Sequence, residues 1–439
     1  MPPARSPALR RGNSAYRKLC SAVVVSELGD WLLFIALPLY VLRSSGSALS
    51  TSAVFLAELI PAVVVGTVCG PLIDRGNPGR LLAVLTCLQA VILLPLLWVR
   101  AESLWLVYAV AALQAAITSI TTPAQQAVVP LLVHPHEMSR ANATVQMASN
   151  AARLIGSPLG GALLPVLGLR GLVIGDIASF LVSAALLFGS GRATSRPQVN
   201  QRVPPVSRVA AIHEGWRAVR GSTTLLTALA ISFLGAIAQG LFLVLFVLFV
   251  LRSLHAGDQV VGLLRGVQAI GGVLGGLLVA TWANHLRPRT QTVWGVMTFG
   301  LVSLLSWNSP SFTTSTWWYV ALFIAVGVPA TAFTTGLVTA TQQASPPLQR
   351  GRVLSLIQVG DALGQGAGIL AAGLLSGSVS LTVLLNAQAG CYLTCAVLAM
   401  ISFARPLTDR ASGPRVRRRH ERASPARLRH AERGGTRRT

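Results

Sequence analysis

From Leu19 to Leu42 the chain is apolar at nearly every position, and blocks of this kind recur along its length. Long apolar runs fall at 19–42, 51–73, 81–99, 104–125, 142–167, 172–190, 223–251, 259–284, 291–307, 316–342, 353–375 and 380–404. Each is near the roughly 20 residues that an α-helix needs to cross a bilayer. The pattern therefore predicts an all-α integral membrane protein with twelve transmembrane helices. Most breaks are short, which favours antiparallel neighbours. One break is long and polar, "GRATSRPQVNQRVPPVSRVAAIHEGWRAVRGS" at 191–222, and it divides the twelve into six and six. The expected organisation is a basic segment 1–18, a six-helix bundle 19–190, a linker 191–222, a second six-helix bundle 223–404 and an arginine-rich tail 405–439.

Composition agrees with the pattern. Of 439 residues, 52% are hydrophobic and only 11% charged, where a soluble domain carries about 25% charged residues. The first apolar run is longer than a signal h-region and lacks a small-residue cleavage site, so it reads as a retained helix. Five cysteines (Cys20, Cys69, Cys87, Cys391, Cys395) lie in apolar runs without metal-ligand spacing. Neither a disulfide nor a metal site is expected.

The net charge of +23 is unevenly placed. With a cytoplasmic N-terminus, the inside loops hold thirteen arginines (Arg75, Arg80, Arg140, six in 191–222, Arg287, Arg289, Arg350 and Arg352). The outside loops hold four: Arg43, Arg100, Arg170 and Arg252. This bias predicts that both termini are cytoplasmic in a multi-pass protein of the cell membrane. Trp98, Trp105, Trp307, Trp317 and Trp318 flank the outer turns, as an interfacial aromatic belt would. The tail 405–439 carries twelve arginines and almost no apolar surface, so disorder is expected. It lacks interleaved aromatics, which argues against nucleic acid; attraction to the anionic inner leaflet, or plain solvation, accounts for it.

The two halves resemble each other. "YVLRS" at 40–44 recurs as "FVLRS" at 249–253; "GTVCGPLIDRGNP" (66–78) aligns with "GLLVATWANHLRP" (276–288), and "QQAVVP" (125–130) with "QQASPP" (342–347). Near-constant spacing suggests a duplicated six-helix unit, a common plan for secondary transporters.

At this point a family becomes recognisable. "GPLIDRGNPGR" (Gly70–Arg80) resembles the cytoplasmic loop motif of the major facilitator superfamily, with a degenerate second copy that has Asn284 where Asp74 stands. "RLIGSPLGGALL" (153–164) resembles its Gly-Pro-Gly exporter motif on the fifth helix, through Gly156, Pro158, Gly160 and Gly161. "SELGDWLLFIALPL", "TTPAQQAVVP" with "RAN", and "GDIASFLVSAALL" are similar to the branch of macrolide-efflux proteins and the enterobactin exporter. The resemblance implies two pseudo-symmetric six-helix bundles and alternating access. It also implies that Asp74, with Gly70, Arg75 and Arg80, latches the cytoplasmic side. The fourth helix departs from many proton-coupled members: it holds no arginine, and Gln114 is its most polar long side chain.

Charged residues inside apolar runs are the candidates for function, because an ionisable group near mid-bilayer costs roughly 2.5–3.5 kcal/mol on insertion scales. Glu27, Asp30, Trp31 and Phe34 lie at i, i+3, i+4 and i+7, on one face of helix 1. Such a face suits bulky, apolar or cationic compounds, with rings to stack and carboxylates to attract or exchange protons. Asp30 lies roughly 17 Å into the helix at 1.5 Å per residue. Glu58, Asp176 and Asp361 are also intramembrane; Asp176 has Ser179 beside it and reads equally as a packing acid. Arg265 lies within the second half or near its outer mouth, and Arg153 is closer to the cytoplasmic end, where it can snorkel. No Walker A sequence is present, so this chain does not hydrolyse ATP through one. His134, His136 and Glu137 read as a polar turn. The expected function is export of hydrophobic small molecules, drug-like or secreted, by proton antiport from a monomer without cofactor. Siderophore export, or a transporter-like scaffold that moves nothing, are the alternatives.

Overall fold

The structure, a computed structural model, describes residues 7–66, 77–134, 137–188, 215–281, 286–346 and 349–404. Their regular structure is entirely helical. In chain order the helices are α1 Pro7–Ser45, α2 Ala48–Gly66, α3 Pro78–Leu93, α4 Leu104–Leu132, the continuous segment Met138–Phe188, α7 Thr223–Leu248, α8 Asp258–Thr281, α9 Pro288–Asn308, α10 Thr316–Ala344, α11 Arg350–Leu375 and α12 Leu381–Ala404. The long segment is two helices, α5 (138–167) and α6 (169–188), joined at Gly168, whose φ of 64° and ψ of 177° leave the helical region. A side chain is strained there and glycine is not. The pattern predicts a turn over 168–171, but the chain reverses at one residue. Arg170 is consequently helical, and its Nε donates to the Leu97 carbonyl at 2.8 Å.

Local chemistry starts the helices. Asn77 Oδ1 accepts from the amides of Gly79 (3.0 Å) and Arg80 (3.2 Å), and Pro78 occupies a first-turn position where no donor is needed. Ten segments are long and apolar enough to cross a membrane. One of these contains both α5 and α6, and α9, at 21 residues, completes twelve. α1 extends N-terminally past its apolar run, where Tyr16 Oη donates to the Ala141 carbonyl of α5 at 3.0 Å.

Helix pairing repeats between the halves. α1 lies along the α5–α6 pair as α7 lies along α11 and α12; α2 packs on α4 as α8 packs on α10; α3 meets its half's last helix as α9 meets α12. The halves join through α5 against α8 and α2 against α11, contacts that the same pseudo-symmetry exchanges. Lipid offers no hydrophobic drive between helices, so close fit holds them. The outer surface is accordingly apolar, with Val166 and Trp317 each 77% exposed.

The two ends of the molecule differ. At the end holding Arg43 and Asp258, one apolar cluster crosses between the halves and includes Leu37, Val41, Phe55, Phe246, Phe249 and Phe323. Toward the end holding Pro7 and Ala404, the clusters belong to one half each: Leu19, Leu82, Val128 and Leu187 in the first, Val219, Leu225, Val353 and Ile357 in the second. The halves are sealed at the first end and separate at the second. Trp307 departs from the expected aromatic belt. It is 4% exposed, with its Nε1 donating to Gln388 Oε1 at 2.9 Å and its ring 4.9 Å from that of Phe249. Trp98, Trp105 and Trp317 do lie on the surface.

Candidate functional site

α1 presents Glu27, Asp30, Trp31 and Phe34 to a cavity of about 640 Å³. The 3.6-residue repeat brings them to one face, and the Trp31 and Phe34 rings meet edge-on at 5.1 Å. Glu58 of α2 and Asp176 of α6 line the same cavity, with Gln89, Gln114, Gln239 and Arg265. Asp30 is the hub of the acids, close enough to interact electrostatically with Glu27, Glu58 and Asp176.

Each acid has its own setting. Ser149 Oγ of α5 donates to Glu27 Oε1 at 2.6 Å. Glu27 also borders a second cavity of about 380 Å³ between α4 and α5, lined by Gln125, Gln126, Asn142 and Ser149. It therefore stands at the neck between two cavities. Asp176 is 2% exposed and accepts from Ser179 Oγ at 3.1 Å. Opposite it is Gly29 of α1, where any Cβ would overlap Asp176 Oδ1. Asp176 thus packs and lines the cavity at once. Asp361 is not brought into this group; it is half-buried on α11, facing Ser232 of α7. Among the described residues, no three His, Cys, Asp or Glu side chains are placed to hold a metal ion.

The cations have a different arrangement. Arg265 is 7% exposed, with its guanidinium 5.5 Å from the Phe34 ring centroid and 5.2 Å from that of Phe242. Arg153 does not snorkel toward the helix end. It turns inward, 4.9 Å over the Trp31 ring, and its Nη2 donates to Gln268 Oε1 at 2.8 Å. The reason lies in the approach of α5 to α8: Pro158 packs on Gly266 and Gly161 on Asp258 and Gly262, positions where a Cβ would strike backbone or ring. Gly156 and Gly160 face the other way, onto Leu28, Trp31 and Leu32 of α1. α5 is thereby held between the two halves.

Of the latch motif, Gly70, Asp74 and Arg75 lie outside the described residues, as does Asn284. Arg80 is exposed at the start of α3. Sequence reasoning missed Asp258, whose buried carboxylate lies 2.8 Å from Arg43 Nη2, a contact of charges rather than an aligned hydrogen bond. The signal available was an acid at the first turn of α8 facing the arginine of "YVLRS" across a short span. It singled out Gln114 only as the most polar side chain of its helix and did not name Gln89 or Gln239. Gln89 Nε2 donates to Thr118 Oγ1 (3.2 Å) and Gln114 Nε2 to the Gln89 carbonyl (2.9 Å), making a polar wall in α3 and α4.

Comparison with known proteins agrees with this architecture. The family model described as Major Facilitator Superfamily matches twice, over residues 19–251 and 228–435. An uncharacterized MFS-type transporter of Bacillus subtilis, YfiS, is 25% identical over 231 residues, spanning 50% of this chain and 53% of its own length. Macrolide efflux protein A of Streptococcus pyogenes is 22% identical over 349 residues (76% of this chain, 82% of its own). The multidrug efflux pump Tap of Mycolicibacterium fortuitum is 25% identical over 295 residues (64% and 70%). Among solved structures, the nucleoside transporter NupG matches with TM-score 0.71 at 13% identity, covering 90% of this chain and all of that one. A bacterial homologue of the iron transporter ferroportin, in an inward-facing state, matches with TM-score 0.67 at 16% identity (89% and 99%). The paired family match, the repeated helix pairing and the shared fold agree: this chain belongs to the Major Facilitator Superfamily of membrane transporters.

Proposed function

We propose that the protein is a secondary active exporter of bulky apolar small molecules, driven by proton antiport, working as a monomer in the cell membrane with both termini cytoplasmic. The observation that carries this reading is the meeting of Glu27, Asp30, Glu58 and Asp176 beside the Trp31 and Phe34 rings in one cavity. The kinship with a macrolide efflux protein and a multidrug pump supports drug-like cargo. With the arginine-rich loops inside, the sealed end faces out and the cavity takes its load from the cytoplasm.

The chemistry follows from burial. A low dielectric favours the neutral acid, whereas a cationic or polarised substrate beside it favours the carboxylate. Substrate arrival therefore releases a proton, and reprotonation from outside releases substrate, because each ligand shifts the equilibrium of the other. Asp30 exchanges the proton and Glu27, at the neck, connects it to the cytoplasmic cavity. A pH jump on proteoliposomes tests this. Asp30→Asn keeps its fold and loses proton-driven efflux of a cationic dye, and Glu27→Gln slows it. Unchanged antiport in both variants makes them packing groups and passes the role to Asp176, Glu58 or Asp361.

A further inference from the structure

We propose that Arg153, Arg265 and Gln268 form a receptor for an anionic group, a carboxylate, sulfonate or phosphate monoester, carried by the transported molecule. Both guanidiniums converge on one neutral oxygen: Gln268 Oε1 accepts from Arg153 Nη2 at 2.8 Å and from Arg265 Nη1 at 3.1 Å. Two donors occupy both lone pairs of that oxygen, and nothing in the contact cancels two positive charges. The one ion pair among the described residues, Arg43–Asp258, lies elsewhere, at the sealed end. Arg153 Nε is buried without a hydrogen-bond partner. A fixed cation in the membrane interior pairs with an anion or faces water, and two side by side at one amide call for an anion.

The surroundings are those of an anion site. The Arg153 guanidinium lies over the Trp31 ring, and Phe34 and Phe242 attend Arg265. A guanidinium is a planar fork of N–H donors that binds oxyanions by paired hydrogen bonds. Both arginines border a cavity of about 300 Å³ in the second half, whose lining contains no carboxylate. Gln388 also lines it, with its carbonyl accepting from Trp307 Nε1 at 2.9 Å. Arg265 and Gln239 line the acidic cavity as well. Cargo seated across both chambers places its anionic group at the arginines and its apolar or cationic body against the acids. Assigning the anion to cargo rests on the transport reading above; the anion site itself does not.

The test is binding of 1-pyrenebutyrate and of its uncharged methyl ester to the full chain in dodecyl maltoside, followed by pyrene fluorescence. The wild type binds the acid about tenfold more tightly than the ester, the worth of one hydrogen bond to a charged group. Arg153→Gln and Arg265→Gln each remove that preference while ester binding persists, which also reports an intact fold. Arg153→Lys keeps part of it. Equal affinity of wild type for acid and ester, or no measurable binding of either, overturns the proposal without needing any variant. So does a preference that survives the Arg153→Gln/Arg265→Gln double variant. Displacement of the acid by dioleoylphosphatidylglycerol reassigns the site to a lipid headgroup and overturns it too. Acid-over-ester binding by the wild type is read without any transport, whereas the pH-jump assay reads antiport alone, so the two readings fail separately.

Discussion

At the scale of single residues, one glycine controls the placement of an acid. Gly29 leaves just the space that the Asp176 carboxylate occupies. Gly29→Ala pushes that carboxylate aside and lowers stability by about 1–3 kcal/mol, the usual cost of overpacking. Gly175→Ala, with nothing near its added methyl, stays close to wild type. Thermal unfolding of both in detergent decides it; equal melting temperatures would show that α1 and α6 yield at no cost. The acids are legible in the amino-acid sequence, because a charge in an apolar run stands out. The direction of Arg153 is not, because the run it interrupts says how deep it lies and not which way it turns.

At the scale of elements, α5 makes one of the two main contacts that join the halves. Gly156 and Gly160 seat it on α1, and Pro158 and Gly161 seat it on α8. Replacing Gly161 with leucine drives a side chain into the Asp258 backbone and disfavours the sealed arrangement. In a cysteine-free background, Val41→Cys reports this, since Val41 is fully buried in the cluster that crosses the interface. Gly161→Leu raises its labelling by a membrane-impermeant maleimide; unchanged labelling means the helices part there without consequence. Asp74, outside the described residues, belongs to the same scale. The resemblance of its loop motif implies a latch at the opposite end, and on that reading Asp74→Asn inserts normally and turns over more slowly in a transport assay. Normal turnover would return it to the solvated loop.

For the whole molecule, the proposed transport cycle requires the seal between the halves to break. Arg43 and Asp258 join α1 to α8 across it, with Asp258 fully buried and Arg43 half-exposed. Solvent screening of the arginine limits the pair to on the order of 1–2 kcal/mol. Asp258→Asn therefore raises the population open at that end by about tenfold at 1.4 kcal/mol, read as faster Val41→Cys labelling. Labelling at the wild-type rate would leave the apolar cluster alone as the seal. Reporter fusions within 191–222 and at both termini should all report the cytoplasm; a terminus on the outside would reverse the direction assigned to the cavity.

The sequence by itself determined the class of this protein: twelve apolar spans, a break into six and six, a repeat, and five acids where lipid should be. Those are properties of one segment at a time, and hydropathy measures them without reference to neighbours. Which faces meet is a property of pairs of helices, and tertiary structure decided it. It gathered four acids onto one cavity and left Asp361 on another contact. It buried Trp307 rather than leaving it in the belt, turned Arg153 toward Arg265, and matched Arg43 with Asp258. The physical reason is that a helix's depth is set by its own composition, whereas its azimuth is set by the small residues that let particular neighbours come close.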